Sequence, residues 1–443
     1  MATQRLGLWM NGLRVGDWER QRNRSRLIYD PAWVQSPQGR PISLSLPFLP
    51  GNAAHAGDAV TAFFDNLLPD NERIRARLAR RYRTASTEPF DLLTALGMDC
   101  VGALQLLPPD DAPSETLYGI QGQPLDEAGI AQQLRNATLD TPPGFNDPDD
   151  TDLRLSIAGA QEKTALLKHG TQWLLPQGST PTTHIFKLPL GLVGNMQADM
   201  RTSVENEWLC ACLAAAYGLP VAPCEIAQFE DQKVLIVERF DRQLASDGKW
   251  IQRLPQEDLC QATATPPHLK YQDHGGPGIA RIMHILTGSI AAEEDCRNFF
   301  KTQILFWMLA ATDGHAKNFS LFLQGSGHFK ATPLYDVLSA HPIIGKGRNK
   351  LAPSKAKLAM AVRSKSNHYR IQEIQRRHWL AMAKHVALGT GVAEQIIDEL
   401  LAQTNAVIEQ VSGFLPAGFP ADVAEAIFAG LKAQAARLAL TTV

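Results

Sequence analysis

The architecture of this chain turns on Ala311-Thr312-Asp313-Gly314-His315-Ala316-Lys317-Asn318-Phe319, followed by Pro333-Leu334-Tyr335-Asp336-Val337. Oxygen-bearing and basic side chains are concentrated here between apolar runs. Asp313 suits a residue that orients and deprotonates a hydroxyl nucleophile. Asn318 and Asp336 suit oxygen ligands of Mg2+ that set nucleotide phosphates in line. The Asp-to-Asn spacing is that of a protein-kinase catalytic loop, and a β-like run at 319–323 precedes the second aspartate. His315 would support loop geometry and Lys317 would neutralise the transferring phosphate. The alternative is structural: Asp313 and Asp336 cap turns while Asn318 bonds a loop. A zinc site at His315 is disfavoured, because its neighbours are oxygen-rich and no cysteine pair accompanies it.

Two constellations lie upstream. Leu155-Ser156-Ile157-Ala158-Gly159-Ala160-Gln161-Glu162-Lys163 is a small-residue turn between expected strands, where backbone N–H groups can approach a phosphate; a plain hairpin is the other reading. Lys163 is either a phosphate contact or an exposed strand lysine. Lys187 ends an apolar strand, and Glu205 and Glu207 follow on the next expected helix. Glu207, beside the stripe of Val204, Trp208 and Cys212, is the preferred partner for the Lys187 ammonium group. Val237-Glu238-Arg239-Phe240-Asp241-Arg242 is a candidate hinge. Backbone groups of Glu238 and Phe240 would meet an adenine ring, and Arg239 and Asp241 would instead form a structural pair.

Around these segments the periodicity changes along the chain. Asn11-Gly12 between apolar-alternating runs predicts a hairpin over 6–18, and strands are expected at 27–29 and, as an edge, at 41–47. A helical stripe begins at Asp58. The arginines at 73, 75, 77, 80, 81 and 83 read as a solvated helix face rather than a site for phosphate or an acidic partner. Further helices are expected at 91–98, 125–134 and 203–217, and strands at 101–107, 183–188 and 234–237. After about residue 250 helices dominate, at 296–311, 371–385, 392–411 and 422–441. The expected organisation is an N-terminal β-containing subdomain (1–110), a connecting region (111–152), a nucleotide-binding lobe (153–250) and a helical catalytic lobe (251–443).

Composition narrows the function classes. At 443 residues the chain has room for about three structural units. Its 43 basic and 45 acidic residues nearly cancel, which argues against a polyanion binder held by global charge. The N-terminus turns polar at Asn11 before a secretory-length apolar run develops, and no run reaches the length of a membrane span. A cytoplasmic protein without a membrane partner is expected. The six cysteines lack the spacing of zinc knuckles and read as reduced, mostly core thiols.

Taken together, Phe63-Phe64-Asp65-Asn66-Leu67-Leu68-Pro69, the turn at 156–163, Val237–Arg242, Leu254-Pro255-Gln256-Glu257-Asp258 and Thr312–Asn318 resemble the HipA family of bacterial serine/threonine-kinase toxins, in order and across nearly the full chain. The resemblance implies an α+β, bilobal protein-kinase-like fold with an additional N-terminal β-containing subdomain and a mostly helical C-terminal lobe. It implies ATP and Mg2+ as cofactors, with Asp313 as the catalytic aspartate and Asn318 and Asp336 as the metal pair. Lys187 would be the ATP-contacting lysine, with ATP contacts also from Ala158, Gly159, Ala160, Gln161, Glu162, Lys163, Glu238, Arg239, Phe240, His315 and Lys317. Ser156 matches the serine that the family autophosphorylates as an off-switch. The implied partners are a HipB-like helix-turn-helix antitoxin, operator DNA reached chiefly through that antitoxin, and glutamyl-tRNA synthetase as protein substrate. The implied location is the bacterial cytoplasm, or the nucleoid in the antitoxin–DNA complex. The departure from ordinary kinases is Ala311-Thr312-Asp313 in place of His-Arg-Asp. A noncatalytic corepressor scaffold and a small-molecule kinase are the competing readings.

Overall fold

The computed structural model describes residues 3–22, 24–113, 115–139, 156, 158–159, 161–194 and 196–440. Ala160 and the acidic run at 146–152 lie outside the described residues. The chain gathers into two compact units. One comprises 1–188, 227–268 and 320–329, and the other 189–226, 269–319 and 330–443.

In the first unit, a five-stranded antiparallel sheet runs in the order His55–Ala56, Arg24–Tyr29, Leu13–Gln21, Gln4–Met10, Leu104–Leu107. The expected hairpin is present: Asn11 and Gly12 take φ of 47° and 84°, the left-handed values of a tight hairpin turn. Its helix Asp58–Asp65 buries Val60, Phe63 and Phe64, and Phe64 stacks on Trp18 with ring centroids 3.9 Å apart. A second sheet of six strands has Lys163–His169 paired to both Gln172–Pro176 and His184–Lys187, with Gln232–Glu238 beyond. Helix Glu127–Thr138 lays Ile130 and Leu134 into this sheet's core beside Leu166, Phe186, Val234 and Ile236.

Two expectations are corrected here. Residues 41–47 are not an edge strand. The Tyr29 hydroxyl accepts the Ile42 N–H (2.9 Å) and the Glu257 carboxylate accepts the Leu44 N–H (2.8 Å), so side chains take backbone groups a ladder would need, and the Ser45 hydroxyl adds a bond to the Gln261 carbonyl (2.7 Å). The arginine helix, Glu72–Arg81, is not merely solvated. Arg75 binds Asp65 at 2.6 Å, Arg77 grips the Glu162 carboxylate with both terminal nitrogens, and Arg81 donates to the Asn136 carbonyl.

A buried charge cluster ties the two sheets of this unit together. Asp99, just ahead of the strand Leu104–Leu107, meets Arg239, Arg242 and Arg253, and Asp241 pairs with Arg239 at 2.8 Å. Asp99 also accepts from the Thr182 hydroxyl (2.7 Å), and Asp241 accepts the Gly102 N–H (2.7 Å). Burial pushes the Asp99 carboxyl up, but Arg242, Arg239 and Arg253 outweigh it and hold the carboxyl well below its usual range. The Asn11 amide and the Arg253 backbone exchange two hydrogen bonds at 2.8 and 3.0 Å, seating the hairpin turn on the strand Ile251–Arg253.

The second unit is mostly helical, with Ser203–Ala216, Ile279–Leu286, Ala292–Met308, Arg376–His385, Thr390–Ser412 and Ala421–Ala439. Gly218, at φ 81°, ends the first of these as expected. The helix expected over 371–385 starts five residues late. The Trp307 indole takes the Ile371 carbonyl at 2.9 Å, and a Gln375–His378 capping box sets the new start. Two strands, Lys357–Arg363 and Asn367–Arg370, were not expected. Among the described residues no helix is long and apolar enough to cross a membrane.

Replacing Asp99 by Asn strands three buried guanidiniums with one carboxylate, and should cost about 3–5 kcal/mol. A lower denaturant midpoint at unchanged m-value would report it. Glu257 supplies a pH dependence of the opposite kind. Burial pushes its carboxyl up to about 8, against the opposing hydrogen bonds from Ser43 and Leu44. Between its ordinary 4.5 and about 8 the folded chain keeps a proton that the unfolded chain has lost, so this group's contribution to stability falls as pH rises and levels off above. Urea unfolding between about pH 5 and about pH 8 should show that slope, on the order of a few kcal/mol in all, and Glu257→Gln should flatten it.

Candidate active site

In the second unit the loop carrying Asp313 follows the helix Ala292–Met308. Ala310 turns the chain at φ 50°, and Gly314 lies so close to Phe306 that a β-carbon would stand 2.4 Å from its ring, so only glycine fits. From Gly314 to Ser320 every residue is buried, whereas the Asp313 side chain is 53% exposed. The buried neighbours hold the loop and leave the carboxylate accessible.

Asn318 is the organising side chain. Its amide nitrogen donates to the backbone carbonyl of Asp313 (2.8 Å) and, at the limit of hydrogen bonding, to that of Asp336 (3.5 Å), so the two aspartates expected from sequence are drawn to one residue. With the nitrogen committed in this way, the side-chain oxygen is the Asn318 atom that could serve a cation. Asp336 itself sits at φ 61°, a left-handed conformation that a non-glycine residue adopts only when its surroundings impose it. Tyr335 helps to impose it by donating to the Lys317 carbonyl at 2.8 Å.

Deeper in the unit, Asn206 on helix Ser203–Ala216 clasps Ser339: its nitrogen donates to the Ser339 carbonyl and its oxygen accepts the Ser339 N–H, both at 2.8 Å. Ser339 in turn donates to the Leu309 carbonyl at 2.6 Å. The helix end before Asp313 and the segment after Asp336 are thereby fastened to one helix. Neither Asn206 nor Ser339 was singled out from sequence. His315 is buried with Nε2 3.7 Å from the Asp313 carboxylate, and Lys317 is also buried. Among the described residues no group of three or more His, Cys, Asp or Glu side chains forms a metal cage. An Asn–Asp oxygen pair is the sparse donor set that Mg2+ accepts when phosphates and water complete its shell.

In the first unit, Lys163 and Lys187 are directly opposite on adjacent antiparallel strands and therefore share one face of the sheet. Lys163 donates to the Ala158 carbonyl. Gly159, at φ 111°, leaves room for that ammonium group, which would stand 2.6 Å from an added β-carbon. Gln161 donates to the Leu188 carbonyl at 2.5 Å, while Glu162 is held by Arg77. Ser156 is buried, its hydroxyl donating to the Leu67 carbonyl at 2.7 Å. At the hinge, Glu238 is exposed and Phe240 packs edge-on against Phe322. Arg239 takes the structural role: its guanidinium lies in the Asp99–Asp241 cluster, and its N–H donates to the Thr183 carbonyl at 2.9 Å. Lys187 falls in the first unit and Glu207 in the second, each buried.

The fold and this loop define an α+β protein of the kinase-like class, with an added N-terminal β-rich part and a helical C-terminal part. A model of the HipA N-terminal domain matches residues 6–107, and one of the HipA-like C-terminal domain matches residues 155–408. The chain belongs to the HipA family of toxin kinases. Y4mE of Sinorhizobium fredii is 33% identical over 417 residues, spanning 93% of this chain and 92% of that protein. The serine/threonine-protein kinase toxin HipA of Shewanella oneidensis is 30% identical over 325 residues, 70% of this chain and 69% of that one. A solved structure of Shewanella oneidensis HipA with HipB and its operator DNA shares the fold, with a TM-score of 0.76 at 22% identity, over 98% of this chain and 96% of that one.

Replacing Asn206 by Ala leaves the Ser339 N–H and carbonyl buried and unpaired. A loss of about 2–4 kcal/mol is expected from two such groups, read as a lowered Tm.

Proposed function

We propose that the protein is an ATP-dependent serine/threonine-protein kinase acting as a toxin, with Asp313 as its catalytic base. The observation that carries this reading is the Asn318 amide gathering the Asp313 and Asp336 backbones around one accessible carboxylate. Asp313 accepts the proton of an incoming hydroxyl, and Lys187 and Lys163 offer positive charge to nucleotide phosphates. Asn318 and Asp336 would hold Mg2+, which when bound neutralises charge on the transferring phosphoryl group. The backbones of Glu238 and Phe240 would receive the adenine ring, while Ala158 and Gly159 would offer backbone N–H groups to phosphate.

Ser156 is the proposed autophosphorylation site. Its hydroxyl is a buried donor, and a phosphate there would lose that donor while adding close to two negative charges beside the Leu67 carbonyl. The modified loop would have to leave its seat, which makes phosphorylation an off-switch. The proposed partner is a HipB-like helix-turn-helix antitoxin, through which the protein reaches operator DNA; a net charge of -2 suits indirect contact. The named assembly of Shewanella oneidensis HipA supports this partner. Glutamyl-tRNA synthetase is the proposed protein substrate and the bacterial cytoplasm the proposed location.

Wild type and Asp313→Asn incubated with labelled ATP, Mg2+ and glutamyl-tRNA synthetase should differ by at least about a hundredfold in transferred label, the scale of general-base catalysis. Equal labelling, or none in either folded protein, would favour a noncatalytic scaffold. Transfer to a metabolite panel but to no protein would make it a small-molecule kinase. Mass spectrometry should find phosphate on Ser156 in the wild type and none in the Asp313 variant.

A further inference from the structure

The acceptor hydroxyl of a kinase must donate a hydrogen bond to the catalytic aspartate. In this structure a hydroxyl already does so: the phenol of Tyr271 donates to Oδ1 of Asp313. We propose that Tyr271 occupies the seat of the acceptor hydroxyl in the substrate-free protein and acts as a gate, yielding to the serine or threonine of a protein substrate. The proposal rests on the kinase reading of Asp313.

Three observations favour a gate over a simple brace. Asp313 does not need Tyr271 for its backbone position, because Asn318 already holds its carbonyl at 2.8 Å. The phenol engages one carboxylate oxygen, Oδ1, of a residue whose following neighbours are buried through Ser320, and the Asp313 side chain stays half exposed around that contact. The ring is clasped edge-on against His315, with centroids 5.1 Å apart at 87°, and lies 5.7 Å from the ring of His274. These contacts place the phenol without closing it into a core, since Tyr271 is only partly buried.

Tyr271 heads a short glycine-bounded turn, so opening is a movement of its side chain. After it comes a single 3-10 turn, Gln272–His274, ended by Gly275 at φ 102°. A β-carbon on Gly276 would stand 2.1 Å from the Leu269 carbonyl oxygen, and one on Gly278 would stand 2.2 Å from the Gln272 amide. The turn is therefore tightly folded on itself. Its side-chain tether to the strand Lys357–Arg363 is the Gln272 oxygen, which accepts the Ala361 N–H at 2.7 Å. Lys357 and Asp273 add an exposed pair at 3.8 Å, which water screens. Opening exchanges the phenol O–H for a substrate O–H at the same carboxylate oxygen, so the hydrogen-bond count at Asp313 is unchanged.

A seat occupied part of the time raises the apparent KM for the acceptor by the reciprocal of its open fraction, and while it is filled no other hydroxyl donates to Oδ1 in its place. Removing one hydrogen bond should shift that balance roughly two- to tenfold. Tyr271→Phe is thus expected to lower the KM for glutamyl-tRNA synthetase and to raise Asp313-dependent ADP release without acceptor by the same factor, with kcat for transfer kept. Gln272→Ala retains the phenol and loosens its tether, and should move both readouts in the same direction. Thermal unfolding would check that both variants are folded. Turnover in wild type with acceptor-free ADP release unchanged or lowered in both variants would overturn the gate and leave the kinase reading standing. Phosphate found on Tyr271 itself would make it an acceptor and also overturn the gate. Absence of Asp313-dependent turnover in every form would remove the kinase reading and the gate together.

Discussion

The first unit depends on a carboxylate with almost no access to water. Asp99 stands among Arg239, Arg242 and Arg253, and Asp241 shares two of those partners, so two negative and three positive charges are buried together. Burial and the neighbouring guanidiniums push Arg253 down to about 10. Such a cluster adds little net stability over an apolar core of the same volume, but removing one member is severe. It imposes geometry: Asp99 comes from the N-terminal subdomain, Thr182 from the approach to the strand of Lys187, and Arg239 and Asp241 from the segment after Glu238. Strand register beside Lys187 and the path of the candidate hinge are thus set by the same charges.

The second unit uses neutral hydrogen bonds for the equivalent task. Asn206 and Asn318 each offer an amide, and together they bind the backbone on both sides of the reactive loop. Amides suit this work because they satisfy a donor and an acceptor without adding charge beside Asp313. The left-handed Asp336 and the glycine-only position at 314 mark where this packing is tightest.

Much of this was legible in the residues. The hairpin at Asn11-Gly12, the helical stripe from Asp58 and the long C-terminal helices follow from local periodicity, because turn chemistry and amphipathic spacing act over a few residues. The Asp313–Asn318–Asp336 spacing likewise marked the segment in which the Asn318 amide meets both aspartate backbones. The reading failed where a remote group took over a local one. Glu257 captured the Leu44 N–H and undid an apparent strand, and the Trp307 indole took the Ile371 carbonyl and delayed a helix. Glu162 and Asp65 drew in arginines that looked solvated.

Sequence alone determined which residue types could carry phosphoryl transfer, and the family to which they belong, since both reside in short ordered motifs. Tertiary structure alone decided that Asp99 joins Arg239 in the core, that Asn206 supports the loop from more than a hundred residues away, and that Tyr271 meets Asp313. A hydrogen bond or ion pair between distant positions leaves no period and no spacing in the chain. It exists only once the backbone has brought a donor within about 3 Å of its acceptor.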